Sequence, residues 1–209
     1  GGFAPGATWA ERRAAVNQTL LSGDIGTVGS NADNCYHVVT GSGRNSTAIL
    51  DGFTITGGNA NKTNATYFYH HGGGLFIQSG SPTIRNCVFR ENQALWGGAM
   101  SSRLASNPLV VNCQFIGNNG SSGGGAVSNG NDASHGPLTF INCTFVRNTS
   151  NNHGGAIYDA NSGGSQRLVN CTMTGNATSA ADKGDGIQHN SMGTLTLDNC
   201  ILRQNNGST

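Results

Sequence analysis

Two carboxylates, a lysine and an imidazole fall close together in Asp182-Lys183-Gly184-Asp185-Gly186 and His189. Carboxylates that hold calcium beside a basic group that removes a proton are what a polysaccharide lyase needs, and a pair of carboxylates at fixed separation is what a glycosidase needs. Asp159, about one repeat before Asp185, could join them on the surface. Glycines 184 and 186, however, stand where an EF-type loop needs oxygen ligands. The remaining acids, among them Glu11, Asp24, Asp51 and Glu91, are scattered. The plainer reading of Asp182 to His189 is a polar turn. Calcium is the cofactor a lyase would call for, and no C-x-x-C pair is present to hold zinc.

A second group suits binding better than catalysis. The run 61–71, NKTNATYFYHH, lengthens one repeat, and Tyr67, Phe68, Tyr69, His70 and His71 make it too aromatic for an idle loop. Trp96 falls just before the next glycine pair. Aromatic rings on an inserted loop can stack on sugars, cover the side of the fold or meet a protein neighbour.

What must position these residues is a repeat. Asn-Cys recurs at Asn86-Cys87, Asn112-Cys113, Asn142-Cys143, Asn170-Cys171 and Asn199-Cys200, with cysteine steps of 26, 30, 28 and 29 (113−87, 143−113, 171−143, 200−171). Each copy continues C-x-[FML]-x-x-N: Phe89 and Asn92, Phe115 and Asn118, Phe145 and Asn148, Met173 and Asn176, Leu202 and Asn205. Cysteine and the large apolar residue two positions on share one face of an extended chain. Ile84, Val110, Phe140, Leu168 and Leu197 lie three before their cysteines, so the chain bends at the intervening Asn. Between copies stand Gly97-Gly98-Ala99-Met100, Gly124-Gly125-Ala126-Val127, Gly154-Gly155-Ala156-Ile157 and the looser Gly184-Asp185-Gly186-Ile187, each a tight corner followed by a strand.

Units this short cannot bury a face alone, but stacked at about 4.8 Å they pair strand on strand. The spacing predicts an all-β, right-handed, single-stranded parallel β-helix of six to seven coils with three short strands per coil. Residues 1–49 read as an N-terminal cap with the first coils, and 50–209 as one continuous run of repeats. Thr8-Trp9-Ala10-Glu11 fits a capping box opening a short helix over Ala10 to Val16. Stacking turns repeated letters into columns: Cys87, Cys113, Cys143, Cys171 and Cys200, packed as free thiols; Phe89, Phe115 and Phe145; and an asparagine ladder of Asn92, Asn118, Asn148, Asn176 and Asn205. Cys35 lies outside the column.

Composition narrows the classes further. With 33 Gly, 10% charged residues, 11 Lys+Arg and a net charge of +1, the chain has no basic stripe for nucleic acid. No apolar run approaches the roughly 18 residues a spanning helix needs. Gly1 to Pro5 read as the interior of something longer, and an uncapped coil exposes strand edges that invite end-to-end self-association.

The G-G-A-[ILVM] and F-x-x-N motifs, seen intact at 97–100, 124–127 and 154–157 and at 89–92, 115–118 and 145–148, resemble the repeats of chlamydial polymorphic outer-membrane proteins and other bacterial β-helix surface proteins. The resemblance runs from about Leu50 to Asn205 and departs late, at Gly184-Asp185-Gly186 and at Met173 and Leu202. It implies an exported, cell-surface protein with an adhesive or scaffolding role. The first reading is therefore a non-enzymatic surface protein, with a surface glycan or protein as ligand. A calcium-dependent lyase and a glycan-binding module are the alternatives.

Overall fold

The structure, a computed structural model, describes residues 1–13, 16–63, 68–130, 136–160, 164–190 and 192–205. Its chain winds as a parallel β-solenoid with four sides. The first side stacks Ile49–Asp51, Thr83–Arg85, Leu109–Val111, Leu138–Ile141, Gln166–Val169 and Leu195–Asp198. The second, reached through Asn-Cys, stacks seven strands from Thr19–Ser22 through Phe53–Thr56, Val88–Arg90, Gln114–Ile116, Thr144–Val146 and Thr172–Thr174 to Ile201–Arg203. A short third side holds Asn59–Ala60, Gln93–Trp96, Asn119–Gly123, Thr149–Ser150 and Ala177–Thr178. The fourth, after the glycine corner, holds Val39–Thr40, Leu75–Gln78, Met100–Arg103, Val127–Asn129, Ile157–Asp159 and Ile187–His189.

Three expectations need correction. A coil has four strands, because the chain re-pairs for as few as two residues after each ladder asparagine, at Thr149–Ser150 and Ala177–Thr178. The regular repeat fills about four turns, those at Cys87, Cys113, Cys143 and Cys171, and not six to seven. The turn before them is lengthened by the insertion, and the outermost strands, Thr19–Ser22 and Ile201–Arg203, belong to turns not closed on all four sides. Of the helix expected over 10–16, residues 14 and 15 lie outside the described ones, and the described residues form a single 3₁₀ turn, Trp9–Glu11. Glu11 Oε2 does take the Thr8 N–H at 2.7 Å, but Arg12 turns extended and carries its guanidinium to Asp51, 2.6 Å away.

The interior is filled by like residues meeting in register. Phe89 pairs with Phe115 and Phe115 with Phe145, with ring centroids 5.2 and 4.8 Å apart and planes within 5°. Cys87, Cys113, Cys143 and Cys171 are buried beside them, and all six cysteines are free thiols. The neighbouring Cys143 and Cys87 thiols, and then burial, hold the Cys113 thiol well above its ordinary pKa.

Asparagine serves twice. At the bend before each cysteine, Asn86, Asn112, Asn142, Asn170 and Asn199 adopt φ of 50 to 54°, a left-handed conformation that asparagine tolerates better than most residues. Their side chains form an exposed file: Asn112 donates to Asn86 at 3.3 Å and Asn142 to Asn112 at 3.2 Å. At the next corner the interior ladder runs. Asn118 Nδ2 donates to Asn148 Oδ1 and to the Phe89 carbonyl, each at 3.0 Å, while its Oδ1 accepts the Asn92 N–H and Nδ2 at 3.1 Å. Asn148 repeats this with Asn176, and Asn176 with Asn205. Asn92, Asn118, Asn148 and Asn176 are all 0% exposed.

Candidate functional site

The third residue after each corner alanine, and after Gly186 at the last corner, forms a polar file on the fourth side. Ser102, Asn129, Asp159 and His189 pair in register through successive coils. Asp159 is fully buried and lies on the interior face, which corrects its expected surface place beside Asp185. Its Oδ2 meets His189 Nδ1 at 2.7 Å, and Asn129 Nδ2 approaches its Oδ1 at 3.5 Å. His189 Nε2 is tied to the Gly193 carbonyl at 3.0 Å. Both ring nitrogens of His189 thus face a neighbour of this chain at 3.0 Å or less.

The other acids do not gather round this pair. Asp185 Oδ1 accepts the Thr178 N–H at 2.7 Å and so closes the turn that leads back into the corner. Asp182, at φ 61°, and Lys183 sit exposed on that turn. No cluster of three His, Cys, Asp or Glu side chains suited to a metal occurs among the described residues. The sequence reading missed Ser102 and Asn129. Their signal was present, in polar residues three positions after Ala99 and Ala126, as Asp159 follows Ala156.

The aromatic residues cover the outside of the solenoid in two groups, one on the fourth side and one where the third side meets it. In the first, Phe68 stacks on Phe76 at 5.8 Å, His37 on Phe76 at 5.0 Å and Tyr69 on Tyr36 at 4.8 Å. Tyr67 lies outside the described residues. His70 leans on His71, with ring centroids 4.3 Å apart. His71 is buried between Ser101, whose Oγ is 3.3 Å from Nδ1, and Arg103, whose guanidinium contacts Nε2 and lies over the Phe68 ring at 4.7 Å. Burial first, and then the Arg103 charge, push His71 down to about 2. It is therefore a neutral imidazole that accepts from Arg103.

In the second group, Trp96 stacks on Tyr158 at 5.6 Å and His153 on Tyr158 at 4.7 Å. Trp96 and Tyr158 belong to coils two apart, and their rings meet over Gly123 of the coil between. A Cβ there would lie 2.8 Å from the Trp96 ring and 2.9 Å from that of Tyr158. In both groups rings are stacked on one another, so they brace the side wall.

Residues 142–160 match the Chlamydia polymorphic membrane protein (Chlamydia_PMP) repeat. The matched stretch spans Asn142 of the exposed file, Cys143, Phe145, Asn148 of the interior ladder and the Gly154-Gly155-Ala156-Ile157 corner. No curated protein and no solved structure matches the chain. The chain is a parallel β-solenoid that carries, at residues 142–160, a repeat of the Chlamydia polymorphic membrane protein type.

Proposed function

We propose that this chain is a non-catalytic part of an extracellular or cell-surface, right-handed β-helix protein that acts as a stiff scaffold and adhesive wall. The observation that supports this most strongly is the use to which its polar and aromatic side chains are put. The ladder asparagines, the Asp159–His189 pair and the stacked rings all bond to neighbouring coils. The matched repeat is described as that of a membrane protein, and no helix among the described residues is long and apolar enough to cross a bilayer. Surface placement is tested by adding protease to intact producing cells. Loss of the chain, while a cytoplasmic marker survives, is expected, and a protected chain would overturn the proposal.

We further propose that assembly occurs end to end. Leu197, Ile201 and Leu202, at 42, 59 and 45% exposure, together with the Asn205 amide, form a rung on which a further coil, of this protein or of a second copy, would stack. Electron microscopy of concentrated protein is expected to show filaments, and dispersed monomers at every concentration would remove this part. The adhesive ligand is a surface glycan or protein met by the side wall. Glycan retention that survives Tyr69→Ala and Trp96→Ala would exclude the aromatic wall as the contact. The lyase alternative, with calcium as its cofactor, would be revived by turnover of uronate polymers that Asp185→Asn abolishes.

A further inference from the structure

The file on the fourth side begins before Ser102. Strand pairing aligns Thr40 with Phe76, and Gly41 donates its N–H to the Phe76 carbonyl, which sets Gly41 above Ile77 and Ile77 above Ser102. The first member has no side chain. The first side also ends here, at Ile49–Asp51, with no strand stacked above it among the described residues. Together these leave a cavity of about 180 Å³ at the corner, walled by Val39, Leu50, Leu75, Pro82 and Ile84 and bordered by Arg44.

Two features of the cavity point to a ligand class. Its walls are apolar, and an apolar cavity of about 150 Å³ is large enough to take a benzene molecule. Its rim carries a cation without a counter-charge. Arg44 is exposed and gives its Nε–H to the Ser42 carbonyl at 3.2 Å, and no carboxylate pairs with it among the described residues. The nearest acid in sequence, Asp51, is already held by Arg12, Arg85 and Asn86. An arginine bordering an apolar pocket matches a molecule with a short hydrocarbon body and one carboxylate.

We infer that this corner is a binding site for a free aliphatic monocarboxylate of about hexanoate size, the chain seated over Gly41 and the carboxylate on Arg44. Calorimetric titration of the chain with hexanoate tests it, with hexan-1-ol as the uncharged analogue. Saturable one-to-one binding of hexanoate is expected, weakened about tenfold by Arg44→Gln and by the exchange of acid for alcohol. Ala48→Leu, which extends a side chain into the cavity, is expected to abolish binding with the melting temperature unchanged. Should that variant fail to fold, Arg44→Gln and the alcohol still decide the matter. Absence of saturable heat, equal affinity for acid and alcohol, or an indifferent Arg44→Gln would each overturn the site. Tighter binding of a peptide with a C-terminal leucine would replace the free acid by a polypeptide end.

Discussion

The two asparagine files use the same residue and the same amide-to-amide bond one corner apart, yet they sit in different solvents. Asn118 is fully enclosed and its amide satisfies the Asn92 backbone N–H and the Phe89 carbonyl as well as its ladder partners. Asn112 is exposed, and its amide bonds compete with water. A buried group that loses its partner bears the full desolvation cost, whereas an exposed one re-pairs with solvent. The interior file therefore fixes which coil lies on which. The outer file chiefly supplies a residue that accepts a left-handed bend.

The largest expected effect comes from the inside. Asn118→Ala or Asn148→Ala orphans at least two buried groups, at about 1 to 3 kcal/mol each, and should lower the melting temperature by roughly 4 to 24 °C. An unchanged melting curve in both variants would remove the ladder as a source of stability. Next comes the braced wall. Gly123→Val drives a branched side chain into the Trp96 and Tyr158 rings and should cost about 1 to 3 kcal/mol, with a red-shifted fluorescence from Trp96. Unchanged fluorescence would mean that the rings do not meet over Gly123.

Acid should act on the same wall. Because burial holds the folded His71 down at about 2, the unfolded chain takes up its proton first, near pH 6.5. Stability is then complete above about pH 6.5 and falls on acidification, at up to about 1.4 kcal/mol per pH unit for this one proton. Burial also lowers His70 and His37, which add to the trend in the same direction. Denaturant titrations at pH 7 and 5 measure the slope, and His71→Gln should flatten it.

The smallest effect belongs to the outer file. Asn112→Gly keeps the left-handed bend and loses only exposed bonds, so it should cost about 0.5 kcal/mol or less. Asn112→Ala should add about 1 kcal/mol for the left-handed backbone. If Asn112→Gly matched Asn118→Ala in cost, the distinction between the two files would fail.

How much of this could be read in the letters depended on whether a residue's place is set by the repeat or by a break in it. The cysteine and phenylalanine columns, both asparagine positions and the glycine corners follow from spacing alone. The third side did not, because strands such as Thr149–Ser150 are shorter than any period. The Asp159–His189 pair was half visible. The two lie 30 residues apart, one coil, and Asp185 at 26 is equally near one coil by count, but pairing is set by position relative to the glycine corner. The aromatic residues stand out in the sequence, but the stacking of Trp96 on Tyr158 across coils depends on Gly123, whose significance lies in the side chain it lacks. The short helix failed for a long-range reason, the Arg12–Asp51 ion pair across 39 residues.

The central claim is that successive coils lie in register, so that like side chains meet in the interior. Anomalous diffraction from the native sulfurs of a crystal measures this directly. The sulfurs of Cys87, Cys113, Cys143, Cys171 and Cys200 should fall on one internal line with a spacing of about 4.8 Å. Any of the five displaced from that line by a coil's width, or turned to the surface, would contradict it.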